Sequence, residues 1–223
     1  MSLRVLVSGA SRGIGLALVR AHLSRGDEVW AGVRAITDDL RALAHPRLHV
    51  LTLDVTSSDS VRDAALACES ETLDRVIANA GINGGPQHAP GMDLAQVARV
   101  IDTNAIGTVR LYDAFIARVR AAGGQWVNVS SEAGSLSSFR ASAKPDYAMS
   151  KAALNALTRW MAAVESKVTV VSLDPGWTQT AMGGAQATFT AEQTAARMIA
   201  TVDALTFAQS GTFIDADAKM VPW

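Results

Sequence analysis

The run Leu3-Arg4-Val5-Leu6-Val7-Ser8-Gly9-Ala10-Ser11-Arg12-Gly13-Ile14-Gly15 holds a short apolar stretch, a glycine turn and the start of a helix. The apolar residues 3–7 suit a buried strand. Ile14, Leu18 and Ala21 then recur at helical spacing over residues 14–25, and Gly26 stops the helix. Glycines permit a tight turn and let backbone approach a pyrophosphate, and the free N–H groups of the helix start bind the anion. The spacing is G-x-x-x-G-x-G, not the commoner G-x-G-x-x-G, and taken alone it is also an ordinary strand–helix turn. Its place between the first strand and a good helix is what points toward a dinucleotide.

Outward from this turn, strand-like and helical patterns alternate. Further strands are predicted at residues 28–33, 48–53, 73–78, 125–129, 168–173 and 212–214. Helices are predicted from about Ser58, from Asp93 (an N-cap with Gln96 in the capping-box position), over 105–120, over 147–164 and near 191–200. Such alternation implies an α/β fold, a parallel sheet with helices on both faces. No repeat, linker or low-complexity segment divides residues 1–223, which read as one domain. The Gly/Ser-rich spots at 83–86, 130–142 and 176–184 all follow strands, at the sheet edge where open parallel sheets bind ligands.

The 223 residues are 49% hydrophobic with net charge −1, so the chain is globular and has no basic stripe for nucleic acid or an anionic membrane. Cys68 is the only cysteine, which suits a reducing compartment. No apolar run approaches a bilayer span, and the N-terminal stretch is too short for a secretory signal; the expectation is a cytoplasmic protein. His22, His45, His49 and His88 show no metal-ligand spacing, so these and Cys68 read as structural and no metal is expected.

Arg34 follows the second strand, where dinucleotide-binding folds read the adenosine ribose. A cation there suits the 2′-phosphate of NADP, and an acidic residue would suit NAD. With Arg12 in the turn and no carboxylate at the strand end, NADP(H) is favoured over NAD(H), although each arginine alone is an ordinary surface charge. Asp54 has the chemistry to accept from an adenine amino group, or to cap a turn. Tyr147 and Lys151 share one helical face at i and i+4. A tyrosine near pKa ~10 exchanges its proton poorly at neutral pH, and a neighbouring ammonium lowers that pKa. The pair alone is a common coincidence. Its context is not: Ser130 and Ser131 end one strand, Asn79-Ala80-Gly81 another, Asn104 lies in the following helical region, and Pro175-Gly176 with Thr178 closes the next strand.

In these residues the chain resembles the short-chain dehydrogenases/reductases. The turn at 8–15, Asp54-Val55, Asn79-Ala80-Gly81, Asn104, Ser131, Tyr147-x-x-x-Lys151 and Asp174-Pro175-Gly176 carry the likeness over essentially the whole chain. Residues 175–184 and the ending Pro222-Trp223 look most like the small carbonyl reductases of the sniffer and C-factor branch. The resemblance implies a doubly wound Rossmann-like domain of about seven parallel strands. It implies interconversion of a carbonyl (ketone, aldehyde or quinone) and an alcohol by hydride transfer from or to the nicotinamide. Tyr147 is then the general acid/base and Ser131 the holder of the carbonyl oxygen. Lys151 tunes the tyrosine and binds the ribose, while Asn104 positions a water that leads to solvent. The cofactor contacts it implies are Gly9, Ser11, Arg12, Gly13, Ile14, Gly15, Arg34, Asp54, Val55, Asn79, Ala80, Gly81, Tyr147, Lys151, Pro175, Gly176 and Thr178. Ser130 takes a supporting role.

Two departures bear on substrate. The stretch between Ser131 and Tyr147 is longer than is commonest in the family, which makes Phe139 and Arg140 candidate substrate contacts. The segment after Gly176 is short, a small lid at an open site, where Trp177, Met182 and Phe189 either wall the substrate or pack the segment down. Trp160 and Met161 suit either the core or a subunit interface, and many relatives pair through that helix, so a homo-oligomer is compatible. The second reading is a dinucleotide-binding regulatory protein of the C-factor type in which catalysis is secondary.

Overall fold

Seven runs dominated by Val, Leu, Ile and Ala become parallel strands in the computed structural model, which describes residues 2–88, 90–138 and 144–223. They are β1 (Arg4–Ser8), β2 (Glu28–Val33), β3 (Leu48–Thr52), β4 (Arg75–Ala78), β5 (Gln125–Val129), β6 (Thr169–Asp174) and β7 (Thr212–Asp215). The sheet order is β3-β2-β1-β4-β5-β6-β7, the doubly wound Rossmann-like order. The helices are α1 (Gly13–Ser24), α2 (Asp38–Arg41), α3 (Ser58–Ala67), α4 (Leu94–Ile101), α5 (Gly107–Ala122), α6 (Pro145–Val164) and α7 (Ala191–Asp203).

Side chains along a strand point alternately to opposite faces, so each strand feeds two cores. Val5, Val7, Val127 and Val171 pack with Leu18, Val19, Met198 and Val202 of α1 and α7. Leu6, Val76, Trp126 and Val170 pack with Val61 of α3, Phe115 of α5 and Met161 of α6. Helices therefore cover both faces, and the near-continuous apolar strands are those of a sheet buried on both sides. Met161 belongs to the core, whereas Trp160 is 56% exposed.

Strand order reverses between β1 and β4, which opens a crevice at their carboxyl ends. The chain stitches this point with side-chain bonds. The Asn79 side-chain amide donates to the Ser8 and Gly9 carbonyls at 2.9 and 3.2 Å, and the N–H groups of Asn79 and Ala80 donate to the Ser8 hydroxyl.

Three local features differ from expectation. The short helix α2 was not anticipated, because four residues show no periodicity. Asp93 does cap α4, accepting from the Ala95 and Gln96 N–H groups, but the Gln96 side chain closes no capping box; its amide donates to Asp146 at 2.9 Å instead. Finally, α4 and α5 are not separate: a π-helical turn, Asp102–Ile106, runs one into the other.

Candidate active site

The glycine turn positions the first half of the site. Gly9 and Gly13 adopt φ +67° and +56°, a region that favours glycine. A Cβ on Gly9 would stand 2.8 Å from Ala80 Cα, and one on Gly15 would stand 2.3 Å from the Gly9 carbonyl oxygen. The turn thus packs directly on Asn79 and Ala80 across the crevice. No side chain caps the N-terminus of α1, and its first turn carries no acidic residue, which leaves it open to an anion. Ser11 accepts from the Thr37 hydroxyl at its carbonyl, and Ile14 packs against the core below.

Arg12 and Arg34 are exposed, and among the described residues neither side chain makes an ion pair or hydrogen bond. Arg34 acts electrostatically on Asp54. Burial opposes the Asp54 charge, but the Thr56 N–H and hydroxyl, at 2.9 and 2.7 Å on Oδ1, together with Arg34, hold its carboxyl below the usual range. Oδ1 therefore stabilises its own turn. Val55 is buried against Gly107, and its carbonyl accepts from Arg110.

The second half lies across β4, β5 and β6. Ser131 follows β5 and accepts the Ala133 N–H, and its hydroxyl acts on the Tyr147 phenol. Burial pushes the Tyr147 phenol up to about 12; Ser131 pulls it down and the charge of Asp174 pushes it up. Lys151 is 4% exposed and donates to the Val129 carbonyl at 2.7 Å. Burial drives its amine down to about 8, against the lifting effect of Asp174. The ammonium stands 5.7 Å from the centroid of the Tyr147 ring. The expected lowering of the tyrosine by Lys151 does not show here: burial dominates, and the phenol is held protonated.

Several neighbours fix this pair. A Cβ on Gly134 would stand 2.6 Å from the Lys151 carbonyl carbon, and one on Gly81 would stand 3.7 Å from Lys151 Nζ. The buried Ser130 hydroxyl donates to Asn155 at 2.6 Å, a supporting contact away from Tyr147. Asn104 sits in the π-helical turn. Its amide donates to the Ile82 carbonyl and the Ser150 hydroxyl, and its oxygen accepts the Ile82 N–H, each at 2.8 Å. Both of its donor hydrogens are used, so the Asn104 side chain is fixed between the segment after β4 and α6.

After β6, Pro175 is buried and Gly176 turns with φ +79°. The Thr178 side chain does not face the crevice as expected: the bridge that pairs Thr178 with Phe189 turns its hydroxyl inward, onto Thr194 at 2.8 Å. The residue that reaches the glycine turn is Thr180, whose methyl lies 3.1 Å from where a Cβ of Gly13 would stand. Trp177 and Met182 are 57% and 42% exposed, and the Trp177 indole donates to the Gly183 carbonyl. Phe189 is half-buried, with the Arg197 guanidinium 3.9 Å above its ring. Phe139 and Arg140 lie outside the described residues. Among the described residues no His/Cys/Asp/Glu group could hold a metal, and no helix is long and apolar enough to cross a membrane.

Sequence reasoning missed Asp146. This fully buried carboxylate, next to Tyr147, accepts the Gln87 and Gln96 amides, both at 2.9 Å, and ties the segment after β4 to the start of α6. A Cβ at position 84 would press on its Oδ2 and on the Gln96 amide.

With this geometry in place, the comparisons are decisive for family. Residues 4–191 match the short chain dehydrogenase model. The chain belongs to the short chain dehydrogenase family. It is 30% identical to the short chain dehydrogenase gsfK of Penicillium aethiopicum, covering 100% of both chains. It is 37% identical to the C-signal protein of Myxococcus xanthus over 68% of this chain and 93% of that one, in line with the C-factor-like branch expected. Among solved structures, a carbonyl reductase from Pseudomonas aeruginosa in complex with NADP superposes with TM-score 0.87 at 36% identity over the whole of both chains. As a member of this family the protein is an oxidoreductase.

Proposed function

We propose that the protein is an NADPH-dependent carbonyl reductase in which Tyr147 gives the proton to the carbonyl oxygen. The observation that carries this reading is the convergence of Ser131, Tyr147 and the buried Lys151 beside the β1–β4 crevice. The residues fit a dinucleotide: an uncapped helix start, a glycine cradle closed by Ala80 and Thr180, and two exposed arginines, Arg12 and Arg34, for the 2′-phosphate. The NADP-bound reductase that superposes on the chain supports the same choice.

The dinucleotide, when bound, supplies the hydride. Tyr147, protonated by virtue of its burial, donates a proton to the oxygen, and Ser131 holds that oxygen by a hydrogen bond. Lys151 orients the ribose and carries the proton that replaces the one Tyr147 gives up. The Asn104 carbonyl, in the π-helical turn, connects Lys151 to solvent through water. Trp177 and Met182 present an apolar rim to the substrate. The regulatory reading is not favoured, because every member of the proton-transfer set is present and assembled.

NADPH consumption with a panel of aldehydes, ketones and quinones tests this. Turnover is expected in the wild type, and Tyr147→Phe loses about 10²–10⁴-fold while still binding NADPH. An unreactive wild type with bound cofactor, or a fully active Tyr147→Phe, sinks the proposal.

A further inference from the structure

Residues 216–223 fold back on β7, the edge strand of the sheet. Asp215 Oδ1 accepts the Asp217 and Lys219 N–H groups, both at 2.9 Å, and Ala218 takes a positive φ of 63°, which closes the turn. The chain then runs antiparallel to β7: Ile214 bridges Met220, and the Val221 N–H donates to the Phe213 carbonyl at 2.8 Å. Pro222 has no N–H to continue such a ladder, and from here the bonds of this strap go to the turn after β5.

Ser131 begins that turn. The Ser131 carbonyl accepts the Gly134 N–H at 2.8 Å, and the Glu132 carbonyl accepts the Ser135 N–H at 2.9 Å. The fully buried Ser135 hydroxyl donates to the Pro222 carbonyl at 2.7 Å and accepts the Ser138 N–H at 2.9 Å. The Ser137 N–H donates to the main-chain oxygen of Trp223 at 2.8 Å. The Trp223 ring is itself held, its centroid 5.5 Å from that of Phe213 and 5.6 Å from the Arg159 guanidinium of α6. From α6, the Asn155 amide donates to the Gly134 carbonyl at 3.2 Å. Bonds from α6 and from the strap thus fix one short turn.

We propose that Ser135 and Trp223 are positioning residues for the reaction: through them the strap locks the turn so that the Ser131 hydroxyl stands where the carbonyl oxygen is to be held. Ser131 is placed on one side by β5, where the Ser130 N–H donates to the Leu173 carbonyl at 2.8 Å. On the other side Glu132 and Ala133 are exposed, so its placement there rests on the buried Gly134 and Ser135. A donor fixed before charge develops stabilises that charge without reorganising, and a small displacement of it is costly.

The inference rests on the reading of Ser131 above, and the test separates the two. Carbonyl kcat and KM, with Kd for NADPH, are measured in wild type, Ser135→Ala, Trp223→Ala and Trp223→Phe. The two alanine substitutions are then repeated in a Ser131→Ala background. Each alone is expected to lower kcat about tenfold with Kd for NADPH unchanged, and Trp223→Phe, which keeps a ring against Phe213, is expected to restore it. In the Ser131→Ala background each is expected to cost less than about twofold, because the group it places is gone. An unchanged kcat in either single variant, or the full loss repeated in the Ser131→Ala background, overturns the inference and leaves the strap as a cover for the sheet edge. Should Trp223→Ala not fold, Ser135→Ala gives the same comparison with the same overturning results. Undiminished turnover in Ser131→Ala would instead defeat the underlying reading of Ser131.

Discussion

The two halves of the crevice are built by opposite means. On the β1–β3 side, binding is offered by backbone, with glycines at 9, 13 and 15 and an uncapped helix start, and by two exposed arginines. On the β4–β6 side, buried side chains are held by hydrogen bonds: Asn104, Asp146, Ser130 and Lys151 each have named partners. The first half suits a large polyanion whose charge reaches water. The second suits chemistry, since polar groups fixed in a dry site need no reorganisation when charge develops.

This contrast breaks if mutations cross over. After Tyr147→Phe, the largest effect is expected for Ser131→Ala, which removes one oxygen-holding donor. It should cost about 10²–10³ in kcat with NADPH affinity unchanged in a titration; a matching loss of affinity would put Ser131 in the nucleotide half. Gly15→Ala should act the other way. Its Cβ meets the Gly9 carbonyl at 2.3 Å and the Asn79 amide at 2.7 Å, so the turn must open. A loss of about 1–3 kcal/mol in thermal stability and weaker NADPH binding are expected, and unchanged melting with unchanged binding would contradict the close packing. Arg34→Ala should weaken NADPH by about tenfold, ~1.4 kcal/mol, and leave NADH as it was. Equal affinity of the wild type for both cofactors would remove the arginine argument.

The smallest effect sharpens the claim that the chemical half is dry. Burial holds the Lys151 amine at about 8 against an ordinary 10.5, so folding disfavours its charged form. That penalty is fully present below the folded value. It fades as pH rises toward the unfolded value, because there the unfolded chain keeps a proton that the folded chain has released. Wild type should therefore gain stability relative to Lys151→Met between about pH 8 and about pH 10, read from denaturant midpoints. A constant gap would mean that Lys151 is solvated.

Much of this was legible in the residues themselves. Apolar runs of four to six residues separated by helical periods define a parallel sheet, and the strand ends carry the chemistry in order. What escaped is decided by contacts distant in sequence. Gln96 has the spacing of a capping box, yet a buried Asp146 fifty positions away competes for its amide and wins. Thr178 and Thr180 are indistinguishable as residue types; only the Thr178–Phe189 bridge determines which one faces the glycine turn. The i, i+4 spacing of Tyr147 and Lys151 showed that they meet, but not that burial would dominate the protonation of both.

The π-helical turn at Asp102–Ile106 also sets a rule for length. An α-helix advances about 100° per residue, so deleting one residue there, or adding one, would rotate everything downstream relative to α4. Leu111, Tyr112, Phe115, Ile116 and Val119, the buried face of α5, would swing away from the sheet while Asn104 lost its hold on Ile82. Drift by substitution is open to this segment, whereas drift by insertion or deletion is closed. Variants across 94–122 are accordingly expected to differ in letters but to agree in count.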